Sequence, residues 1–188
     1  MTTLLAPPQR STRPTRRERR AERRRLKRLD AVSARLADLH AIEELLGQAA
    51  DVVSSGWVQG AWFTVDTSSG PRSLTAYDVG LADDLPVVGA CLVGAVVHAA
   101  GGPTTVRSQV VQRSLELTRQ VLHDPGAPVR WCPGPSLRMM TVLDLTHWND
   151  SPHRTQDEVV GLLASAQHSA TAQREMCRAE RAELSTVR

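Results

Sequence analysis

Three side chains that commonly bind metal ions recur at three-residue intervals in the C-terminal half of this chain of 188 residues. His147, Asp150 and His153 form the pattern His-x-x-Asp-x-x-His, and imidazole nitrogens and carboxylate oxygens are typical ligands of Zn²⁺. The three side chains converge on one ion only if the turn curls around it, and Pro152 stiffens that turn. A metal site is therefore the alternative interpretation, and we predict that the protein holds no metal ion and no cofactor.

A second group of side chains suited to binding lies at the ends of predicted elements. Its members are amphipathic or polar: Trp57, Gln59, Trp148, Asn149 and Asp150. If the two segments that carry them meet, they line one cleft for a small molecule, beside the N–H groups of a helix that begins at Thr155. The alternative is that they interlock the segments by hydrogen bonds and bind nothing. We favour interlocking, because Asn and Asp side chains often bond to nearby backbone groups in turns.

Nucleophilic chemistry finds little support in the sequence. Cys91 lies in an apolar segment, which is typical of a buried cysteine, and His98 lies too far along the predicted helix to activate its thiol. The glycine loops that bind phosphates or dinucleotides are lacking, as is the nucleophile elbow of serine hydrolases. We therefore predict a non-enzymatic accessory or binding protein.

The positive charge of the chain is concentrated near its N-terminus. Residues 1–29 contain eleven basic and two acidic residues, a net charge of +9, whereas the remaining residues contain 12 basic and 18 acidic residues, a net charge of −6. Arginine pairs with phosphate through two parallel hydrogen bonds, and neutralising several phosphates releases counterions. The sequence therefore predicts contacts with nucleic acid, independent of base sequence, by these residues: Arg16, Arg17, Arg19, Arg20, Arg23, Arg24, Arg25, Lys27 and Arg28.

Two other uses of the basic segment remain open. It can be a solubilising tail without a partner, or it can fold back onto the acidic body of its own chain. No aromatic residue lies between residues 10 and 28, so neither base stacking nor an interfacial membrane helix is supported. With no secretory signal and no apolar run long enough to span a membrane, we expect a cytoplasmic protein that does not bind membranes.

The hydrophobic pattern predicts the elements that must position these residues. Apolar residues at three- and four-residue steps predict a long first helix that ends at Gly56. The β-prone residues 62–65 and 73–77 flank a turn, which predicts a hairpin. Because aromatic residues make up only 3% of the chain, the core must consist mainly of valine, leucine and alanine, which favours close helix packing.

The middle of the chain predicts further helices. Residues 83–102 are mostly apolar and predict a central helix, with Asp84 as its cap. Another helix is expected to follow a cap at Thr104 or Thr105. Residues 139–145 form a short apolar run that is compatible with either a strand or a helix.

A capping-box spacing, Thr155-x-x-Glu158, predicts the start of the last helix. The expected fold is mainly α: a single-domain bundle of four or five helices with a minor β-hairpin. The expected organisation is a disordered or frayed-helical basic arm over residues 1–28, a helical domain over residues 29–172, and a polar helical or frayed tail over residues 173–188.

The start of the first helix is also suited to pairing with a second copy of the chain. An apolar stripe follows one side of it through Leu26, Leu29, Val32, Leu36 and Leu39. Pairing of residues 26–39 with a second copy would make the protein a homodimeric scaffold, although the stripe is shorter than a typical coiled coil. A homodimer is therefore an alternative to nucleic-acid binding.

Three short blocks carry a resemblance to a known family. They are Gly56-Trp57-x-Gln59-Gly60, Cys91-x-x-Gly94-Ala95, and Trp148-Asn149-Asp150 followed by Arg154-Thr155 and Glu158-Val159. In these blocks the chain resembles an uncharacterised domain-of-unknown-function family, family 6197, which is frequent in actinobacteria. The resemblance covers roughly residues 39–172 and excludes the basic segment. The family pattern includes Trp57, Gln59, Cys91, Trp148, Asn149 and Asp150. It does not require histidine at 147 or 153, and it implies no activity.

Overall fold

The computed structural model describes residues 15–78, 85–127, 129, 131 and 135–186. The predicted disorder of residues 1–14 lies outside the described residues, and so does Asp84, the expected cap of the central helix. The described part of the chain contains five α-helices and a three-stranded antiparallel sheet. The prediction of a mainly helical single domain with a minor hairpin is confirmed.

The longest helix, α1, spans Arg16–Ser55 and begins at a capping box. The Thr15 hydroxyl accepts from the backbone N–H of Glu18 (3.2 Å), and the Glu18 carboxylate accepts from the backbone N–H of Thr15 (2.6 Å). These bonds satisfy N–H groups that have no partner within the helix. Arginine, glutamate, alanine and leucine, which are good helix formers, continue α1 to a length of about 60 Å.

The end of α1 at Gly56 is confirmed, and its cause is a close approach between two backbone segments. Gly56 has an extended backbone with φ −177°, a conformation open to any residue. However, a Cβ atom on Gly56 would lie 2.2 Å from the carbonyl oxygen of Val88. Position 56 therefore has no room for a Cβ atom, and only glycine fits there.

The last helix, α5, spans Gln156–Thr186 and packs antiparallel to α1. At one end of the pair, Gln156 Nε2 donates to the carbonyl of Val53 (2.6 Å). At the other end, Arg28 pairs with Glu180 (2.7 Å). Although its sequence becomes polar after residue 172, α5 continues as one helix and supports the first half of α1.

The apolar stripe of α1 is covered within the chain. A buried cluster joins Val32 and Leu39 of the stripe to Cys177 of α5. Leu26 is 45% exposed. A homodimer through residues 26–39 would therefore have to displace α5.

A three-stranded sheet covers the other end of the bundle, in the order β2-β1-β3. Strands β1 (Phe63–Thr67) and β2 (Gly70–Leu74) form the predicted hairpin, which is confirmed. Strand β3 (Val87–Ala90) pairs antiparallel with β1. Phe63 and Val65 alternate towards the core and are buried, as one face of a half-buried sheet requires.

The predicted start of the central helix is wrong. Where that helix was expected, β3 is extended, and α2 spans only Leu92–Ala99 with Cys91 as its N-cap. Beyond its pairing with β1, β3 makes two further hydrogen bonds: the Ala90 N–H donates to the Gly56 carbonyl (2.9 Å), and the Val58 N–H donates to the Ala90 carbonyl (3.3 Å). These partners from distant segments override the local pattern, which is common for short β-branched runs.

The expected cap of the next helix is also wrong. Helix α3 spans Gln109–His123, and its cap is Ser108, whose hydroxyl accepts from the Val111 N–H (3.4 Å). Pro103–Thr105 instead form a single 3-10 turn. The helix therefore begins about one turn later than expected. The sequence did not identify the cap, because several residues with hydroxyl groups in this segment are able to cap a helix.

The apolar run of residues 139–145 is helical and lies within α4, Pro135–Asn149. In the part of the chain that the structure describes, no helix is both long enough and apolar enough to cross a bilayer. Helix α4 ends against α2, which places Asn149 next to the first turn of that helix.

Helix α2 is enclosed on nearly all sides, since residues 92–97 are all buried. The carbonyl of Trp62 approaches it closely: it accepts from the Cys91 N–H (3.1 Å), and a Cβ on Gly94 would lie 2.1 Å from its oxygen. Gly94 therefore permits the short distance between α2 and the start of the sheet.

Two of the helical glycines, Gly94 and Gly161, should respond to alanine in opposite directions. Gly94→Ala should lower the free energy of unfolding by about 2 kcal/mol or more, because the methyl group meets the Trp62 carbonyl. Gly161→Ala should raise it by about 0.5 kcal/mol, because nothing lies near its Cβ position and alanine favours the helix. Urea unfolding of both variants tests this, and equal effects would contradict the packing described for α2.

Candidate functional site

Asn149, the last residue of α4, is fully buried and makes four side-chain hydrogen bonds. Its Oδ1 accepts from the indole N–H of Trp57 (3.0 Å) and from the backbone N–H of Leu92 (3.1 Å). Its Nδ2 donates to the carbonyl of Val58 (3.1 Å) and to Asp150 Oδ1 (2.8 Å). A carboxamide has two donors and two acceptor lone pairs, so this side chain has no capacity left for a ligand.

Gln59 and Asp150 extend the same network. Gln59 Nε2 donates to the carbonyls of Asn149 (2.9 Å) and Ser151 (2.8 Å). The Gly60 N–H donates to Asp150 Oδ1 (3.0 Å). We name the network the Asn149 clasp, formed by Trp57, Gln59, Leu92, Asn149 and Asp150. It ties the segment after α1 to the end of α4 and to the start of α2.

The fifth residue of the predicted cleft, Trp148, lies beside the clasp and not in it. Its ring is half-buried, and the guanidinium carbon of Arg154 lies 3.8 Å from its centroid. Arg154 Nε also donates to the Trp148 carbonyl (3.2 Å). The candidate site residues from the sequence did not include Arg154, because a turn with Pro152 separates it from Trp148 and no regular periodicity links the two.

The N-terminus of α5 is closed by its capping box. The Thr155 N–H donates to Glu158 Oε2 (2.8 Å), and the Glu158 N–H donates to the Thr155 hydroxyl (3.3 Å), so the predicted start of this helix is confirmed. The Thr155 backbone N–H, assisted by the Thr155 hydroxyl and Arg154, lowers the pKa of Glu158. Two of the groups that could have bound an anion are therefore engaged within the chain.

An open groove of about 470 Å³ adjoins the clasp along α4. We name it the α4 groove, and its lining residues are Leu122, His123, Asp144, His147, Trp148, Asp150, Ser151, Pro152 and Arg154. On its wall, Asp144 Oδ2 lies 2.7 Å from His123 Nε2 and accepts from Arg119 Nε (2.7 Å). Burial raises the pKa of Asp144, but the hydrogen bonds with His123 and Arg119 outweigh it, so the pKa is lowered. The sequence did not indicate this pairing, because its members lie on two helices.

The His-x-x-Asp-x-x-His residues are dispersed. His147 is exposed and lines the α4 groove, while His153 is exposed and is not among the groove residues. Asp150 Oδ1 is engaged in the clasp. Within residues 15–186, apart from the gaps stated above, no group of three His, Cys, Asp or Glu side chains is arranged to hold a metal ion.

Cys91 contributes a cap and not a nucleophile. Its Sγ accepts from the Gly94 N–H (3.3 Å) at the start of α2. Burial raises the pKa of this thiol to about 12. At neutral pH the sulfur is therefore protonated, and the reactive thiolate is not formed.

The first turns of α1 carry a face of unpaired cations. Every residue of α1 before Arg25 is exposed. Arg25 pairs with Glu22 and donates to the carbonyl of Leu184 (2.6 Å), and Arg28 pairs with Glu180. The other seven cations have no ion pair, hydrogen bond or ring contact with any described side chain, and we name them the basic face: Arg16, Arg17, Arg19, Arg20, Arg23, Arg24 and Lys27.

Together these features define a small, mainly helical protein with a hydrogen-bonded clasp at one end of a long helix pair and a basic helix start at the other. Residues 37–169, more than half of the chain, match the model of a family of unknown function (DUF6197), and the chain belongs to that family. The matched range contains the whole clasp and leaves out the basic face. Neither the curated proteins nor the solved structures contain a match to this chain.

The clasp should depend on Asn149 far more than on Gln59. Asn149→Ala leaves the buried Leu92 N–H and its other partners without their hydrogen bonds, and should lower the free energy of unfolding by about 3 kcal/mol or more. Gln59→Ala, at an exposed position, should cost about 1 kcal/mol. Urea unfolding followed by tryptophan fluorescence distinguishes them; a cost below that of Gln59→Ala would rule out the central place of Asn149.

Proposed function

We propose that this protein is a cytoplasmic, non-enzymatic accessory protein whose basic face binds nucleic acid without sequence preference. The observation that carries the proposal is that none of the seven cations pairs with an acidic side chain among the described residues. If the basic segment folded back onto the acidic body, most of these cations would be paired. Of the nine predicted contact residues, only two have an ion pair among the described residues: Arg28 pairs with Glu180 of α5, and Arg25 pairs with Glu22 of the basic segment itself.

The basic face lacks negative charges beside its cations, and phosphates supply them. Like charges one helical turn apart repel each other, and no acidic side chain on this face reduces the repulsion. Each phosphate that pairs with a cation releases condensed counterions, so the favourable free energy grows with the number of contacts. The remainder of the chain after residue 29 has a net charge of −6 and repels a polyanion. Contacts are therefore confined to the basic face.

Nucleic acid is favoured over a membrane surface as the anionic partner. Between residues 16 and 25, alanine is the one apolar residue, so this part of α1 has no side chain that inserts among acyl chains. Cys91 and Cys177 are free thiols, which supports a reducing compartment such as the cytoplasm.

Loss of two free cations should weaken nucleic-acid binding more than loss of two paired arginines. For Arg20→Gln/Arg24→Gln, the slope of log K against log salt on double-stranded DNA should become shallower by about 1.8, at about 0.9 per phosphate contact. For the control Arg25→Gln/Arg28→Gln, the same charge is lost from arginines that Glu22 and Glu180 already neutralise, so the change should be less than half as large.

Fluorescence anisotropy over a series of salt concentrations measures both slopes with the full chain. Circular dichroism of the two variants shows whether α1 is retained, since glutamine is a good helix former. Equal slopes for the wild type and Arg20→Gln/Arg24→Gln, or no binding by the wild type, would overturn the proposal.

The α4 groove supports a second candidate function, the binding of a small molecule. Its volume of about 470 Å³ lies within the range of ligand pockets, and it is bounded by Trp148 and Asp150, which were expected to form a cleft. Its carboxylates already have hydrogen-bond partners, whereas the exposed ring of His147 is a polar group that is accessible to a ligand.

A ligand-observed NMR screen of small fragments tests the groove with two matched histidine variants. His147→Ala should abolish binding of any fragment held in the groove, whereas His153→Ala, outside it, should leave binding unchanged. Fragment binding that both variants retain, or no binding to the wild type, would exclude this site.

A further inference from the structure

We infer that the basic face is shaped for the major groove of a B-form DNA duplex, an inference that rests on the proposed nucleic-acid function. Because an α-helix turns by about 100° per residue, Arg17 and Arg19 lie at the two edges of the basic face, about 160° apart. The other five cations lie between these edges. The charges therefore cover half of a cylinder, and do not form a single line.

The dimensions of this half-cylinder agree with a duplex groove. A helix with its side chains is about 10–12 Å across, and the major groove of B-DNA is about 12 Å wide. From Arg16 to Lys27 the face extends over about 17 Å, a length over which a duplex presents about ten phosphates. With α1 in the groove, cations at the two edges reach the phosphates of the two flanking strands.

Other nucleic acids match the face less well. The minor groove of B-DNA is about 6 Å wide, too narrow for a helix. The major groove of A-form RNA is deep and narrow, so side chains reach little of it. Proteins that prefer single strands stack bases on aromatic side chains, and the basic face has none.

The helix start is accessible for this mode of binding. The residues of α1 before Arg25 are exposed on all sides, and extend about 14 Å beyond the point where the Leu184 carbonyl meets Arg25. In the described part of the chain, α5 continues for only two residues past Leu184 and leaves this extension accessible to a duplex. The Arg28–Glu180 ion pair holds the base of this extension against α5.

The acidic residues of the same turns face away from the proposed groove. By the rotation of about 100° per residue, Glu18 and Glu22 lie on the side opposite the middle of the basic face. Glu18 is engaged with the N–H of Thr15, and Glu22 is paired with Arg25. Both carboxylates thus have hydrogen-bond partners and lie on the side of α1 away from the basic face.

A comparison of four polyanions with the full chain tests the inference. At one salt concentration, fluorescence anisotropy should give an affinity for a mixed-sequence DNA duplex at least about tenfold higher than for its single strand, for the matching RNA duplex, or for vesicles of anionic phospholipid. The minor-groove ligand netropsin should leave binding to the duplex unchanged.

A charge-conserving variant provides the control for shape. Arg20→Ala/Ala21→Arg moves one cation from near the middle of the basic face to a position about 40° beyond its edge at Arg17, and keeps both net charge and helix propensity. Its affinity for the DNA duplex should fall about fivefold, as expected for one lost phosphate contact, whereas its affinity for heparin should be unchanged.

The outcomes separate this inference from the function on which it rests. Equal affinity for the duplex and the single strand, or competition by netropsin, would overturn the major-groove inference and leave nucleic-acid binding in place. Tighter binding to the vesicles or to the RNA duplex would also overturn it. If the wild type binds none of the nucleic acids, both proposals fail.

Discussion

The fold depends on one buried carboxamide. The core of this protein consists mainly of small aliphatic side chains, whose packing is favourable but has little directionality. Asn149 adds direction, because its four hydrogen bonds hold only when three distant segments of the chain take one relative position. Inside a core such a network is stable when every member has a partner, and costly when one does not. The clasp therefore selects one arrangement of α2, α4 and the segment after α1.

The two ends of the antiparallel pair of α1 and α5 differ: one end packs in the core, and the other exposes cations to solvent. Near the clasp, Gln156 joins the start of α5 to the end of α1, and the core surrounds both helices. At the other end, the same two helices share only a small buried cluster and a few polar contacts, among them Arg28–Glu180. Exposed cations at that end do not disturb the core, because the nearest buried residue of α1, Val32, lies beyond the basic face.

Local signals in the sequence were sufficient for the elements that local interactions determine. The capping box at Thr155 and the hairpin involve residues close in sequence, and these predictions agree with the structure. The end of α1 at Gly56 was also predicted, although the approach of the distant Val88 carbonyl is what requires glycine there. The extended residues before Cys91 were missed, because their partners lie in β1 and beside Gly56. The type and spacing of the residues indicated that Trp57 and Asn149 belong together. Their partners, such as the Leu92 N–H, could not be read from the sequence, because a backbone group carries no residue-specific signal.

Helix α1 crosses the boundary of the family match, since it starts at Arg16 and the match starts at residue 37. The helical register thus continues without a break from the matched domain into the segment that precedes it. Replacement of that segment by another helical sequence would present new side chains at the same angles, provided that the residue at position 32 still packs against α5 as Val32 does. A change in the helix start therefore alters the surface that α1 presents and leaves the clasp and the main core unchanged.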